Sequence, residues 1–128
     1  MPERHLLIVA HAPSENTRLL RDAAVRGASA DTIENVQVRC VAPLEATPED
    51  VLQADGILLG TTENLGYMSG ALKDFFDRCY YPVLEKKQGL PCALYIRAVH
   101  DGTGTRRAVE TIVTGLRWTW VQDPLVLR

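Results

Sequence analysis

Three short stretches carry the groups best suited to chemistry. The first is His11-Ala12-Pro13-Ser14-Glu15-Asn16-Thr17, dense in hydroxyl, amide and ring-nitrogen groups immediately after an apolar run. At the start of a helix the backbone N–H groups lack partners and the dipole is positive, which attracts a phosphate dianion; Ser14, Asn16 and Thr17 add short donors. The same residues serve equally well as an ordinary helix cap. The stretch has neither the glycine spacing of a dinucleotide fingerprint nor the Gly-Lys of a P-loop. The second stretch, Thr61 to Met68, contains Thr62, Glu63, Asn64, Leu65, Gly66, Tyr67 and Met68 and reads as a long loop. A flat heterocycle needs an apolar or aromatic face and backbone N–H groups at its polar edge, and residues 65–68 offer both. The alternative is that Tyr67 and Met68 pack on the domain itself. Glu63 fits two roles, acceptor for a ring imide or solvated loop charge. The third stretch, Arg97 to Gly104, includes His100, Asp101, Gly102 and Gly104, and its glycines allow close backbone approach to a ligand.

None of the three stretches reads as a catalytic triad or a metal site. His11 and His100 can titrate near neutrality, but no cysteine or serine nucleophile and no acidic pair accompanies either of them in sequence. Cys40, Cys79 and Cys92 are far apart, without a C-x-x-C pair, and are expected to be reduced thiols in the core.

The elements that must position these stretches alternate between strand and helix. Leu6 to Ala10 is a continuous apolar run, as in a strand covered on both faces. Leu19, Leu20, Ala23 and Ala24 repeat at helical spacing, and that helix ends near Gly27. Val36 to Val41 alternates like a strand nearer an edge, and Pro43 stops it. Thr47-Pro48-Glu49-Asp50 opens a short helix. Gly56 to Gly60 is a buried strand, and a helix capped by Ser69 comes next, with Leu72, Phe75, Phe76 and Cys79 on one face and with Pro82 and Gly89-Leu90-Pro91 ending the segment. Cys92 to Ile96 is the fourth strand, and Ala108, Val109, Ile112, Val113 and Leu116 trace the buried stripe of the fourth helix. Trp118 to Leu127 reads as a fifth strand interrupted at Asp123-Pro124, hence at an edge or bulged. Strand-helix alternation implies right-handed crossovers, a parallel sheet, and ligands bound beyond the carboxyl ends of the strands, where all three stretches lie.

Composition narrows the function classes. The 128 residues suit one domain over 1–128, with 46% hydrophobic and 23% charged residues. No apolar run approaches the roughly 18 residues of a membrane span, and the start reads as a strand instead of a leader peptide, so a cytoplasmic location without membrane insertion is expected. A net charge of -2 with both signs scattered argues against nucleic acid as a partner.

Two motifs carry a family resemblance. Ala54-Asp55-Gly56-Ile57-Leu58-Leu59-Gly60-Thr61-Thr62, with Gly66-Tyr67-Met68-Ser69-Gly70-Ala71-Leu72-Lys73-Asp74-Phe75-Phe76-Asp77-Arg78 after it, resembles the flavodoxin-like superfamily. Within that superfamily the likeness is specifically to the NAD(P)H-dependent FMN reductase and quinone reductase branch, with its apolar strand, G-T loop, S-G pair and L-K-x-F-x-D-R. Asn16-Thr17 resembles the end of that family's phosphate loop. The resemblance implies an α/β, doubly wound, five-stranded parallel sheet in the order 2-1-3-4-5. It also implies FMN as cofactor, NAD(P)H as co-substrate and a quinone or other small electron acceptor. His11, Ser14, Glu15, Asn16 and Thr17 would then surround the phosphate, Thr62 to Met68 would line the isoalloxazine, and Arg97, His100, Asp101, Gly102 and Gly104 would close the site. Because the flavin carries the chemistry, no catalytic side chain and no metal is expected. The phosphate loop is shorter than in many reductases, Thr62 replaces a common proline, and no pattern for a final helix comes after the fifth strand. A sheet face without that helix would expose Trp118 and Trp120, and a homo-oligomer, dimer or tetramer, is expected to cover it. A flavodoxin-type electron carrier and a module that has lost FMN and serves as an interaction domain are the alternatives. Carriers are often strongly acidic, and a charge of -2 favours the enzyme. A response-regulator receiver is excluded, since His11 and Thr61 stand where it needs acidic residues.

Overall fold

The computed structural model describes residues 2–128. Its elements run β1 (Arg4–Ala10), α1 (Glu15–Ala28), β2 (Val36–Val41), α2 (Pro48–Gln53), β3 (Gly56–Asn64), β4 (Tyr67–Met68), α3 (Gly70–Val83), β5 (Pro91–Arg97), α4 (Thr103–Leu116), β6 (Thr119–Trp120) and β7 (Leu125–Leu127). The strand order is β2-β1-β3-β5-β6, with β7 also beside β5. These neighbours are all parallel; Ile8, for example, lies opposite Cys40 on one side and Leu58 on the other. The chain has the flavodoxin-like fold, and the fifth strand of the expected order is split in two, β6 along the start of β5 and β7 along its end. Pro124, which has no N–H to donate, stands in the gap.

Local sequence explains the helix starts. Ser14 and Thr47 each form a reciprocal capping box with the residue three places on, and the Ser69 hydroxyl accepts from the Leu72 N–H. Pro82 does not stop α3, which runs one residue further, because a proline in the last turn forfeits a single intrahelical bond.

Alternation along the strands divides the core between two faces. Leu7, Val9, Ile57, Leu59, Leu94 and Ile96 pack with Val51 of α2, Phe75 and Phe76 of α3, and Val109 and Val113 of α4. On the other face Ile8, Ala10 and Tyr95 lie beneath Leu20, Ala24 and Val25 of α1. Trp118, expected on an exposed patch, is buried on the first face at 6.5 Å from the Phe76 ring, and Trp120 is partly buried there too. The uncovered strip is instead on the α1 face, an apolar groove of about 370 Å³ between Leu20, Leu58, Tyr95, Leu125 and Leu127. Cys79 and Cys92 are core thiols as expected, whereas Cys40 is exposed on the edge strand β2. No helix among the described residues is long and apolar enough to cross a membrane.

Helix α4 meets the β3–β4 hairpin through backbone. A Cβ placed on Gly104 would collide with the carbonyl oxygen of Gly66, so side-chain-free contact sets how closely the two elements pack. Gly104→Ala is expected to lower stability by about 2 kcal/mol through overpacking, read from the midpoint of urea unfolding. An unchanged midpoint would show that the contact is dispensable.

Candidate functional site

The carboxyl ends of β1, β3 and β5 lie side by side, and the site is built from the segment leaving each of these strands. After β1 the His11 N–H donates to the Gly60 carbonyl at 2.9 Å, which fastens the first loop residue to β3. Ser14 is extended (φ -132, ψ 169) and caps α1. Its N–H donates to Thr17 Oγ1 at 2.9 Å, the Thr17 N–H donates to Ser14 Oγ at 3.3 Å, and the Thr17 hydroxyl donates to the Ser14 carbonyl at 2.9 Å. Both hydroxyls are therefore engaged in the cap. The N–H groups of Glu15 and Asn16, in the first turn, have no intrahelical acceptor by the geometry of a helix start. The Glu15 and Asn16 side chains are exposed, Thr17 is buried and His11 is half-buried. Burial holds the His11 imidazole below its ordinary value of 6.5, so it is neutral at physiological pH.

Residues 61–68 are not a loop. β3 continues as far as Asn64, turns through Leu65 and Gly66 at φ 54 and φ 75, and returns as β4, with Glu63 opposite Met68 and Asn64 opposite Tyr67. Two successive left-handed residues suit the right-handed twist of a two-residue hairpin, so the pairing of the strands holds Leu65 in a conformation that leucine seldom adopts. The Ser69 N–H donates to Thr61 Oγ1 at 3.0 Å and fixes the return. The Thr62 hydroxyl donates to Asn64 Oδ1 at 2.9 Å. The Met68 side chain is buried in the core at 2% exposure, so it packs on the domain itself and offers no exposed face to a ring. Leu65 is fully exposed and Tyr67 is 42% exposed.

Glu63 is not the solvated loop charge that its sequence position allowed. It is 8% exposed, its Oε1 accepts from the N–H groups of Val99 (3.0 Å) and His100 (2.8 Å), and its Oε2 accepts from the Gly102 N–H (3.0 Å). Its carboxylate is thus taken up by the segment after β5. Gly102 starts α4 at φ 70, a left-handed position where glycine has no steric cost. The Thr103 N–H donates to Asp101 Oδ1 at 3.0 Å, and that bond holds the Asp101 carboxyl below its ordinary range. Arg97 donates to the Ala98 carbonyl at 3.0 Å, and His100 is exposed. The close approach that Gly104 permits is to Gly66 of the hairpin, within the chain, instead of to a ligand.

Two residues of this region were not among the expected site residues. Thr61 anchors the hairpin by its hydroxyl, and Val99, 75% exposed, presents an apolar side chain in the segment after β5. Arg78, last of the L-K-x-F-x-D-R motif, is structural: it donates to the carbonyls of Ala46 (2.7 Å) and Pro43 (2.6 Å) and pairs with Asp74. Burial pushes the Cys79 and Cys92 thiols up to about 11 and about 12, so neither is a nucleophile at neutral pH.

The donor set fits a flavin nucleotide at both ends. Free helix-start amides suit a phosphate, although the Glu15 carboxylate in the same turn opposes it, and exposed Leu65, Tyr67 and Val99 suit a flat apolar ring.

Residues 16–127 match the family model described as NADPH-dependent FMN reductase. A flavodoxin of Aquifex aeolicus (strain VF5) is 36% identical over 111 residues, 87% of this chain and 59% of that protein, so the chain spans less than two thirds of this relative. Among solved structures, a flavodoxin from the domain Archaea superposes with a TM-score of 0.78 at 16% identity, over 97% of this chain and 84% of the other. An NADPH-quinone reductase of P. pentosaceus superposes with a TM-score of 0.63 at 17% identity, over 97% and 84% of the two chains.

The lowered His11 value has a defined sign. Protonation is disfavoured in the folded state, so the stability carried by neutral His11 is complete above 6.5 and is lost as pH falls toward the lower folded value. An NMR titration of the imidazole is expected to give a midpoint below 6.5; a midpoint at or above it would show that the ring is not desolvated.

Proposed function

Because the chain belongs to the family of NADPH-dependent FMN reductases, we propose that it binds FMN and passes electrons from NADPH or NADH to a quinone or another small acceptor. One observation carries the reading: at the carboxyl edge of the sheet, unpartnered amides at the start of α1 occur together with exposed Leu65, Tyr67 and Val99. When bound there, FMN supplies the two-electron chemistry that the side chains themselves lack.

The residues have separable tasks. The N–H groups of Glu15 and Asn16 hold the phosphate, with His11 and the Ser14–Thr17 cap fixing the turn that presents them. Leu65, Tyr67 and Val99 give the ring apolar surface and keep water from it. The likeness to a flavodoxin favours a second reading, an electron carrier with no substrate pocket of its own.

A visible absorption spectrum, taken after incubation with FMN and removal of free cofactor, tests the reading. Retained flavin bands that bleach with NADPH or NADH are expected. Bands that persist unbleached would favour the carrier, and a colourless protein would end the flavin reading.

The groove beside α1 supports a further part of the proposal, that two or four copies associate through this strip of Leu20, Leu58, Leu125 and Leu127. Sedimentation at micromolar concentration is expected to show a dimer or tetramer, and a monomer would overturn it.

A further inference from the structure

Among the described residues Glu63 is the only one with a charged side chain that is buried. A carboxylate withdrawn from water is costly unless its oxygens are satisfied, and here three backbone N–H groups satisfy them. All three belong to residues 99–102, which are 36 to 39 positions away in sequence. Bonds of such span do not help form the hairpin; they tie the segment after β5 to it. We infer that Glu63 is a positioning residue of the flavin site. Its carboxylate fixes residues 99–102 before any ligand arrives and engages the N–H groups of Val99, His100 and Gly102, so that the ring meets an ordered wall there. The inference rests on the FMN reading for its ligand, while the ordering of the segment is a property of the protein alone.

The chemistry of Glu63 singles out its amide counterpart as a test. Glutamine has one acceptor oxygen, and its NH₂ would face an N–H, so in Glu63→Gln at least one of the Val99, His100 and Gly102 amides loses its partner. Glu63→Ala removes all three bonds. Ligand binding must then order a segment that folding previously ordered, and affinity falls.

Amide hydrogen exchange of the flavin-free protein, followed by NMR in wild type, Glu63→Gln and Glu63→Ala, is the first measurement. Exchange is expected to rise about tenfold or more, the loss of a charge-assisted bond, at Val99, His100 and Gly102 in Glu63→Ala and at one or more of them in Glu63→Gln, with the Leu59 and Ile96 amides of the sheet unchanged. The second is binding of FMN and of riboflavin, which lacks the phosphate, by quenching of flavin fluorescence. Both affinities are expected to fall by the same factor, because the start of α1 is untouched. Unchanged exchange at the three amides, or an equal rise throughout the sheet, would overturn the inference. So would a loosened segment with flavin affinity intact. If wild type binds neither flavin, the FMN reading and the role assigned toward the ring both fall, while the exchange data still decide whether Glu63 orders the segment.

Discussion

Covering both faces of a parallel sheet is the constraint on which the rest of this molecule depends. β1, β3 and β5 run the same way and bury side chains above and below, so helices must occupy both faces and every connection leaves from the same edge. Ala10, Asn64 and Arg97 end neighbouring strands, and the segments after them are brought together although the sequence separates them by dozens of residues. Topology places the site before any of its side chains is considered.

β3 adds something a plain strand would not. Its first part lies between β1 and β5, and its last residues project past the sheet and fold back as a hairpin. That projection carries Glu63 to the N–H groups after β5 and Gly66 to the backbone of Gly104. The hairpin, the segment after β5 and the start of α4 are thereby joined by polar bonds and by backbone packing. Rigidity on this side of the site comes from long-range contacts, while on the α1 side it comes from the local Ser14–Thr17 box.

The two sides also differ in how much of them could be read from sequence. Apolar runs, helical spacing and caps are local signals, and they placed the four helices and the starts at Thr47 and Ser69 where the structure has them, whereas the strand order came from the family resemblance. The hairpin escaped because Leu65 is not a turn-forming residue and takes its left-handed conformation only under the pull of strand pairing. Glu63 looked like a loop charge because its partners lie 36 to 39 residues away. The face on which Trp118 lies depends on the register of the two-residue strand β6 against β5, which composition does not encode. Cys40 obeys the alternation of β2 in sequence, yet on an edge strand that position reaches solvent.

The broken fifth strand bears on a different problem, growth of the sheet by recruitment of foreign chains. An edge strand offers a row of unpaired N–H and C=O groups, and a long flat one is a template for cross-chain pairing. Here that border consists of two residues in β6 and three in β7, separated by a bend and by Pro124. β6 is too short to seat a strand of ordinary length, and the gap interrupts the register between it and β7. The irregularity makes this side of the sheet a poor nucleus for fibrillar stacking.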